Sequence, residues 1–172
     1  MIQIIILLFF AFILIIFVFL YLFSFIIGLV RARGVPFVSL KRKQLKLINK
    51  YIKLKPSDRV VDLGCGDGRV LRMFEKQGIK DLSGYEVNFW AYLLAKMRFK
   101  SKTKIYFKNF KKVDLSEYNV VFCYLLDYYL ESLKHKFDKE LKPGTKVISY
   151  AFQIKNWHKP EIIDKIFIYT IV

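Results

Sequence analysis

The sequence predicts an α/β fold, a doubly wound sheet with helices on both faces, preceded by one N-terminal transmembrane helix. Three observations predict it: an uncharged apolar run at the start of the chain, a repeated alternation of short apolar stretches with amphipathic ones, and a glycine-rich loop directly after the first of those stretches. The 172 residues divide into an anchor at 1–30, a basic juxtamembrane linker and helix at 31–56, and an α/β domain at 57–172.

From Ile2 to Val30 every residue is apolar or aromatic except Gln3, Ser24 and Gly28, and none is charged. Such a run is about 43 Å long as a helix at 1.5 Å per residue, whereas a bilayer core needs roughly 20 residues. The surplus allows tilt or entry into the headgroup region. A cleaved signal peptide fits poorly, because no Lys or Arg opens the run and Phe and Ile crowd its end. A soluble helix apolar all round would need a larger protein to bury it. No basic residue precedes the run, while Arg31, Arg33, Lys41, Arg42 and Lys43 follow it closely. The positive-inside rule then places the N-terminus outside and the domain in the cytoplasm, as a single-pass membrane protein. Cys65 and Cys123 suit that reducing compartment and are too few for a metal site. His135 and His158 have no ligand partner at useful spacing, so no metal is expected.

All 30 Lys and Arg lie after residue 30, and the net charge is +16. Near a surface, anionic lipid attracts each basic side chain by about 1 kcal/mol, which accounts for the juxtamembrane cluster. Nucleic acid is the competing partner for a basic chain. Total charge by itself argues solubility and non-specific binding rather than a partner, and the chain is rich throughout in Lys, Ile, Phe and Tyr.

Gly34 and Pro36 break the chain after the span. From Ser39, an expected N-cap, Leu45, Ile48 and Ile52 recur at helical spacing with lysines between them, a basic amphipathic helix that ends at Lys55-Pro56-Ser57-Asp58. Strands are expected at Arg59–Leu63, Leu82–Glu86, Lys104–Phe107, Val120–Tyr124, Thr145–Ala151 and Ile166–Val172, and helices at Arg69–Lys76, Phe89–Lys100 and Tyr128–Leu141. Strand–helix alternation of this kind builds an open, mostly parallel sheet.

In such sheets the loop after the first strand cradles the ligand. Here it reads Gly64-Cys65-Gly66-Asp67-Gly68, after Val60-Val61-Asp62-Leu63 and before a helical Arg69-Val70-Leu71. A dinucleotide loop would need Gly or Ala where Arg69 stands, and no Gly-Lys-Ser/Thr follows as in a P-loop. Asp62 and Asp67 would repel a pyrophosphate and suit a ligand bearing an ammonium and a sulfonium. Glu86 ends the second strand a little over twenty residues after Gly64, where a carboxylate can accept both hydrogen bonds of a ribose diol.

The segment from Val60 to Arg69 resembles motif I of the class I, seven-β-strand S-adenosylmethionine-dependent methyltransferases, and Gly84-Tyr85-Glu86-Val87-Asn88 resembles their next motif. The order of span, Val35-Pro36-Phe37-Val38, DLGCGDGR, GYEVN and a late Phe152 to Trp157 is similar to the family of membrane-anchored protein lysine methyltransferases, whose mitochondrial members modify the ADP/ATP carrier or the ATP synthase c subunit. The resemblance implies a Rossmann-like methyltransferase sheet and S-adenosyl-L-methionine as cofactor. It implies that Asp62, Gly64, Gly66 and Gly68, with Cys65 and Asp67 in the same loop, hold the methionine end. Glu86 would take the ribose, Val87 and Asn88 would lie near the adenosine, and Asn109 with Phe110 would lie near the adenine, where the family usually has an acidic residue. The N-terminus lacks the Arg-rich character of a transit peptide, which makes a prokaryotic cell membrane the simpler address.

Candidate acceptor-side residues end the fourth strand. Tyr124 can orient an amine, and Asp127 can take a proton or cap the following helix. Phe152 and Trp157 are candidates for the wall of a substrate channel. The absence of Asn-Pro-Pro-Tyr and Asp-Pro-Pro-Tyr weighs against methylation of nucleic-acid bases. The expected acceptor is a lysine in a membrane or membrane-associated protein. A small molecule or lipid acceptor is the alternative, and a non-catalytic cofactor- or nucleic-acid-binding membrane protein stands behind both.

Overall fold

The computed structural model describes residues 2–31, 38–99 and 103–172. The apolar run forms one helix, α1 (Ile2–Arg31). Of it, Ile2–Ile27 has a mean hydropathy of 3.4 and is long and apolar enough to cross a membrane. The break expected at Gly34 and Pro36 and the Val35-Pro36-Phe37 motif lie outside the described residues.

Helix α2 (Arg42–Tyr51) follows. Its N-cap is Lys41 rather than Ser39, and the Lys41 backbone N–H donates to Gln44 Oε1 at 2.6 Å. Leu40, Ile48 and Ile52 are buried while the lysines stay outside, the periodicity of a helix laid on a core.

Beyond it come β1 (Arg59–Leu63), α3 (Arg69–Lys76), β2 (Asp81–Glu86), α4 (Phe89–Arg98), β3 (Lys104–Phe107), β4 (Val120–Cys123), α5 (Asp127–Glu140), β5 (Lys146–Tyr150), β6 (Glu161–Ile163) and β7 (Ile166–Thr170). The strands form one sheet in the order β3-β2-β1-β4-β5-β7-β6. β1 to β5 pair in parallel, and β7 is antiparallel to both β5 and β6. β6 was not expected: three residues, two of them exposed, carry too little apolar signal.

Strand alternation divides the core. Val60, Leu82, Phe122 and Ile148 point to the face covered by α2, α3 and α4, where Ile48, Leu71, Phe74 and Ala95 meet them. Val61, Leu63, Val121, Cys123 and Val147 point to the other face, covered by Leu130, Leu133 and Phe137 of α5. The same period of two puts Asp62, Gly84 and Glu86 on the first face, with Asp62 and Gly84 opposite each other in register. Between β3 and β4 a short 3₁₀ turn, Phe110–Lys112, stands where the alternation would allow a helix.

Candidate functional site

The sheet order reverses between β1 and β4, and the carboxyl ends of these two strands frame the site. The glycine loop leaves β1 there. Gly64, Gly66 and Gly68 take φ of 78°, 56° and 76°, values that side-chain-bearing residues rarely adopt. A Cβ on Gly68 would stand 2.8 Å from the Phe99 ring, because the end of α4 closes on the loop. Gly84 is required for a different reason: a Cβ there would lie 2.7 Å from both Cys65 Sγ and Leu71 Cδ1. The glycine of the second motif therefore makes room for the first.

The loop is held by Glu86. Its Oε2 accepts the Gly66 N–H at 2.8 Å, and Oε1 accepts the N–H groups of Val87 at 2.8 Å and Asn88 at 2.7 Å. The carboxylate thus joins the end of β2 to the loop after β1. Burial pushes Glu86 up, partly offset by these three bonds. Asn88 caps α4, its Oδ1 accepting the Ala91 N–H at 3.0 Å.

Asp62 is buried at 2% exposure and lines a small pocket with Gly64, Gly66, Tyr124 and the Val38–Leu40 segment. Burial pushes its carboxyl well above the usual range, and Glu86 and Asp67 push it further. Among the described residues its ionised form is short of a cation.

Asp67 is not. Arg69 donates from Nη2 to Oδ2 at 2.6 Å and from Nε to Oδ1 at 2.9 Å, and Arg98 Nη2 reaches Oδ2 at 3.0 Å. Burial pushes Asp67 up, but the two guanidinium groups outweigh it and hold the carboxyl below its ordinary value. Arg98 Nε also donates to the Asp67 carbonyl at 2.7 Å, and Arg69 Nη1 donates to the Leu40 carbonyl. Residue type and position suggest a ligand contact for Asp67. The geometry gives it a different task, fixing the loop to α4 and to the segment that enters the domain.

Other candidates separate in the same way. Tyr124 lines the pocket, with its ring 5.6 Å from that of Tyr150. Cys65 and Cys123 are free and buried, their thiols pushed up by burial. Asn109 spends its Oδ1 on the Lys111 N–H, capping the 3₁₀ turn, and Phe110 packs against Tyr129. Asp127 is the first residue of α5, one position inside the N-cap Leu126, and accepts the Tyr128 N–H. Phe152 follows β5, and its carbonyl accepts the Ser149 hydroxyl at 2.6 Å. Trp157 packs between Phe137 and Tyr169, tilted against both rings, and donates to Asp138 at 2.8 Å. Phe137 lies in the second half of α5 and Tyr169 pairs with Val147 near the start of β5, so this indole packs away from the carboxyl edge. Sequence reasoning missed Arg98, Tyr150 and the Val38–Leu40 wall, since no local spacing links them to the loop. No cluster of His, Cys, Asp and Glu that could hold a metal occurs among the described residues.

A backbone cradle of positive-φ glycines, a buried carboxylate without a cation among the described residues and a second carboxylate at the next strand end fit the ammonium, sulfonium and ribose of S-adenosylmethionine. Fold and site define an S-adenosylmethionine-dependent methyltransferase. A family profile described as the ANTKMT methyltransferase domain matches residues 62–161, and the chain belongs to that family. It is 38% identical over 135 residues to a protein-lysine N-methyltransferase of Saccharolobus islandicus (strain REY15A), a match covering 75% of this chain and 84% of that protein. It is 27% identical over 146 residues to the adenine nucleotide translocase lysine N-methyltransferase of Mus musculus, covering 80% of this chain and 63% of that one. With the ATP synthase c-subunit lysine N-methyltransferase of Homo sapiens it shares 28% over 138 residues, 77% of this chain and 58% of the relative. The chain thus spans less than two thirds of these two animal relatives. Among solved structures, the fold matches an RNA methyltransferase from Salinibacter ruber in complex with S-adenosyl-L-homocysteine, with a TM-score of 0.71 and 24% identity over 78% of this chain and 94% of that one.

Proposed function

We propose that this chain methylates a lysine side chain of a membrane or membrane-associated protein, from the cytoplasmic side of the membrane that α1 spans. The observation that carries the acceptor class is the similarity to lysine methyltransferases over 75% of the chain; the apolar, 26-residue Ile2–Ile27 helix carries the location.

When bound, the cofactor supplies an electrophilic methyl carbon whose sulfur leaves as a neutral thioether. The chain's own groups do the rest. Gly64, Gly66 and Gly68 let the backbone approach the methionine end, and Asp62 ionises to pair with its ammonium. Glu86 takes the ribose hydroxyls at the end of β2. Tyr124, backed by Tyr150, forms the wall along which an amine enters. An aromatic, partly desolvated approach favours the neutral amine that must attack, and positioning at near-attack distance is the largest rate contribution available, roughly 7 to 11 kcal/mol. Asp127, near the start of α5, favours that helix N-terminus by its charge.

Incubating the full chain with radiolabelled cofactor and membranes of its own source tests the acceptor class. Label in a protein band is expected. Label confined to the lipid extract would replace the lysine reading by the lipid or small-molecule one.

A further inference from the structure

Helix α4 is built inside out. Its inward positions carry alanines, Ala91 at 2% exposure and Ala95 at 0%, while its outward positions carry Phe89, Trp90, Leu93, Leu94 and Met97. Phe89, Leu94 and Met97 are 43%, 49% and 65% exposed. A surface helix of a soluble domain shows the reverse order. Phe107 at the end of β3 extends the patch, its ring 5.9 Å from Phe89.

The patch adjoins α1. The Tyr21 and Trp90 rings stand 5.9 Å apart, and the level of that contact is informative. The 26-residue apolar stretch Ile2–Ile27 is about 39 Å long, about 9 Å more than the roughly 30 Å hydrocarbon core, or about six residues. Six residues back from Ile27 is Tyr21. With the surplus at the domain end, Trp90 lies at the boundary between hydrocarbon and headgroups, where Trp and Tyr concentrate in membrane proteins. The indole ring itself is half-buried between Tyr21 and Phe89, an amphipathic side chain at the level where such rings are enriched. Charge points the same way: between Glu86 and Asp114 the chain has no Asp or Glu and eight Lys and Arg.

We infer that the outer face of α4, Phe89 to Met97, is a second membrane contact that lies in the headgroup layer of an anionic bilayer beside α1. The inference rests on the membrane reading of α1 and adds an orientation to it. Since α4 begins three residues after Glu86, a domain seated on this face holds the carboxyl edge of the sheet close to the membrane surface. Its acceptors are then lysines near the headgroups, not lysines far out on a soluble domain.

Spin labels on the full chain in vesicles of phosphatidylcholine and phosphatidylglycerol test this. Cys65 and Cys123 are buried, so single added cysteines take the label: Leu94→Cys and Met97→Cys on α4, Phe12→Cys within α1, and His135→Cys on the opposite face of the sheet. The expected result is an oxygen-to-nickel accessibility ratio several-fold higher at positions 94 and 97 than at 135. Equal ratios at 94, 97 and 135 with bilayer depth at Phe12→Cys would overturn the contact and leave the anchor standing. A water-like ratio at Phe12→Cys would overturn the anchor and the contact together. Spin–spin broadening at position 94, relieved by unlabelled chain, would show that a second copy covers the face instead.

Discussion

Asp62 and Asp67 illustrate how far residue type alone reaches. Both are acidic, both flank the glycines, and the sequence treats them alike. Burial and neighbours separate them: Asp67 holds two guanidinium partners, whereas burial pushes the Asp62 carboxyl well up and the Glu86 and Asp67 carboxylates add to it. Binding a cation should favour ionised Asp62, so cofactor affinity is expected to rise with pH through its raised titration and level off above it. Calorimetry of the Asp62→Asn variant should show weaker binding and a flatter pH profile. For folding the sign is opposite, because a raised carboxyl costs stability as pH climbs from its unfolded value through its folded one. Asp67 is depressed, so its contribution is present above the unfolded carboxyl range and is lost as pH falls through the folded value. Asp67→Asn should therefore lower stability at neutral pH, and its difference from the native chain should shrink as pH falls through the folded value of Asp67. The loss is expected near the lower part of about 1 to 3 kcal/mol, since both arginines reach solvent. Glu86→Ala removes an acceptor of three backbone N–H groups and, on the proposed function, the partner of the ribose. A loss of about 1.5 to 3 kcal/mol in cofactor binding, roughly 10- to 100-fold in Kd, is expected by titration.

Elements were readable in proportion to their periodicity. β1 begins and ends where its apolar run does, and α3 and β3 likewise match their predicted limits. α5 begins one residue early, and α4 stops at Arg98, short of Lys100, which lies outside the described residues. The misses have physical causes. β6 is three residues at an exposed edge, and the antiparallel return of β7 depends on a pairing that no local pattern records. The loop and Glu86 could be found from spacing because their contact follows from adjacent parallel strands. Arg98 could not, since the close of α4 on Gly68 is a matter of packing between elements. Gly84 shows that packing most directly. Gly84→Ala should overpack β2 against Cys65 and Leu71, lowering stability by about 1 to 3 kcal/mol and displacing the loop. Thermal unfolding should recover in part in the Cys65→Ala, Gly84→Ala double variant, because one of the two clashing side chains is shortened.

For the molecule as a whole, three features combine: a helix able to cross a bilayer, a sheet whose carboxyl edge carries the cofactor loop, and a strongly basic surface, with a net charge of +16. On the proposed reading, a span at α1 would restrict the domain to acceptors at one surface, and the apolar outer face of α4 would limit how it tilts there. The match covers 84% of the Saccharolobus relative and 58% of the human one. The proposed function has this loop deliver a methyl group to a lysine at the membrane. Its most direct test is peptide mass spectrometry on membranes treated with S-adenosylmethionine and either the native chain or Glu86→Ala. A methylated lysine Nζ in a membrane or membrane-associated protein is expected with the native chain, and its sharp reduction with the variant. Methylation confined to lipid or to another side chain, or equal lysine methylation by both chains, would contradict it.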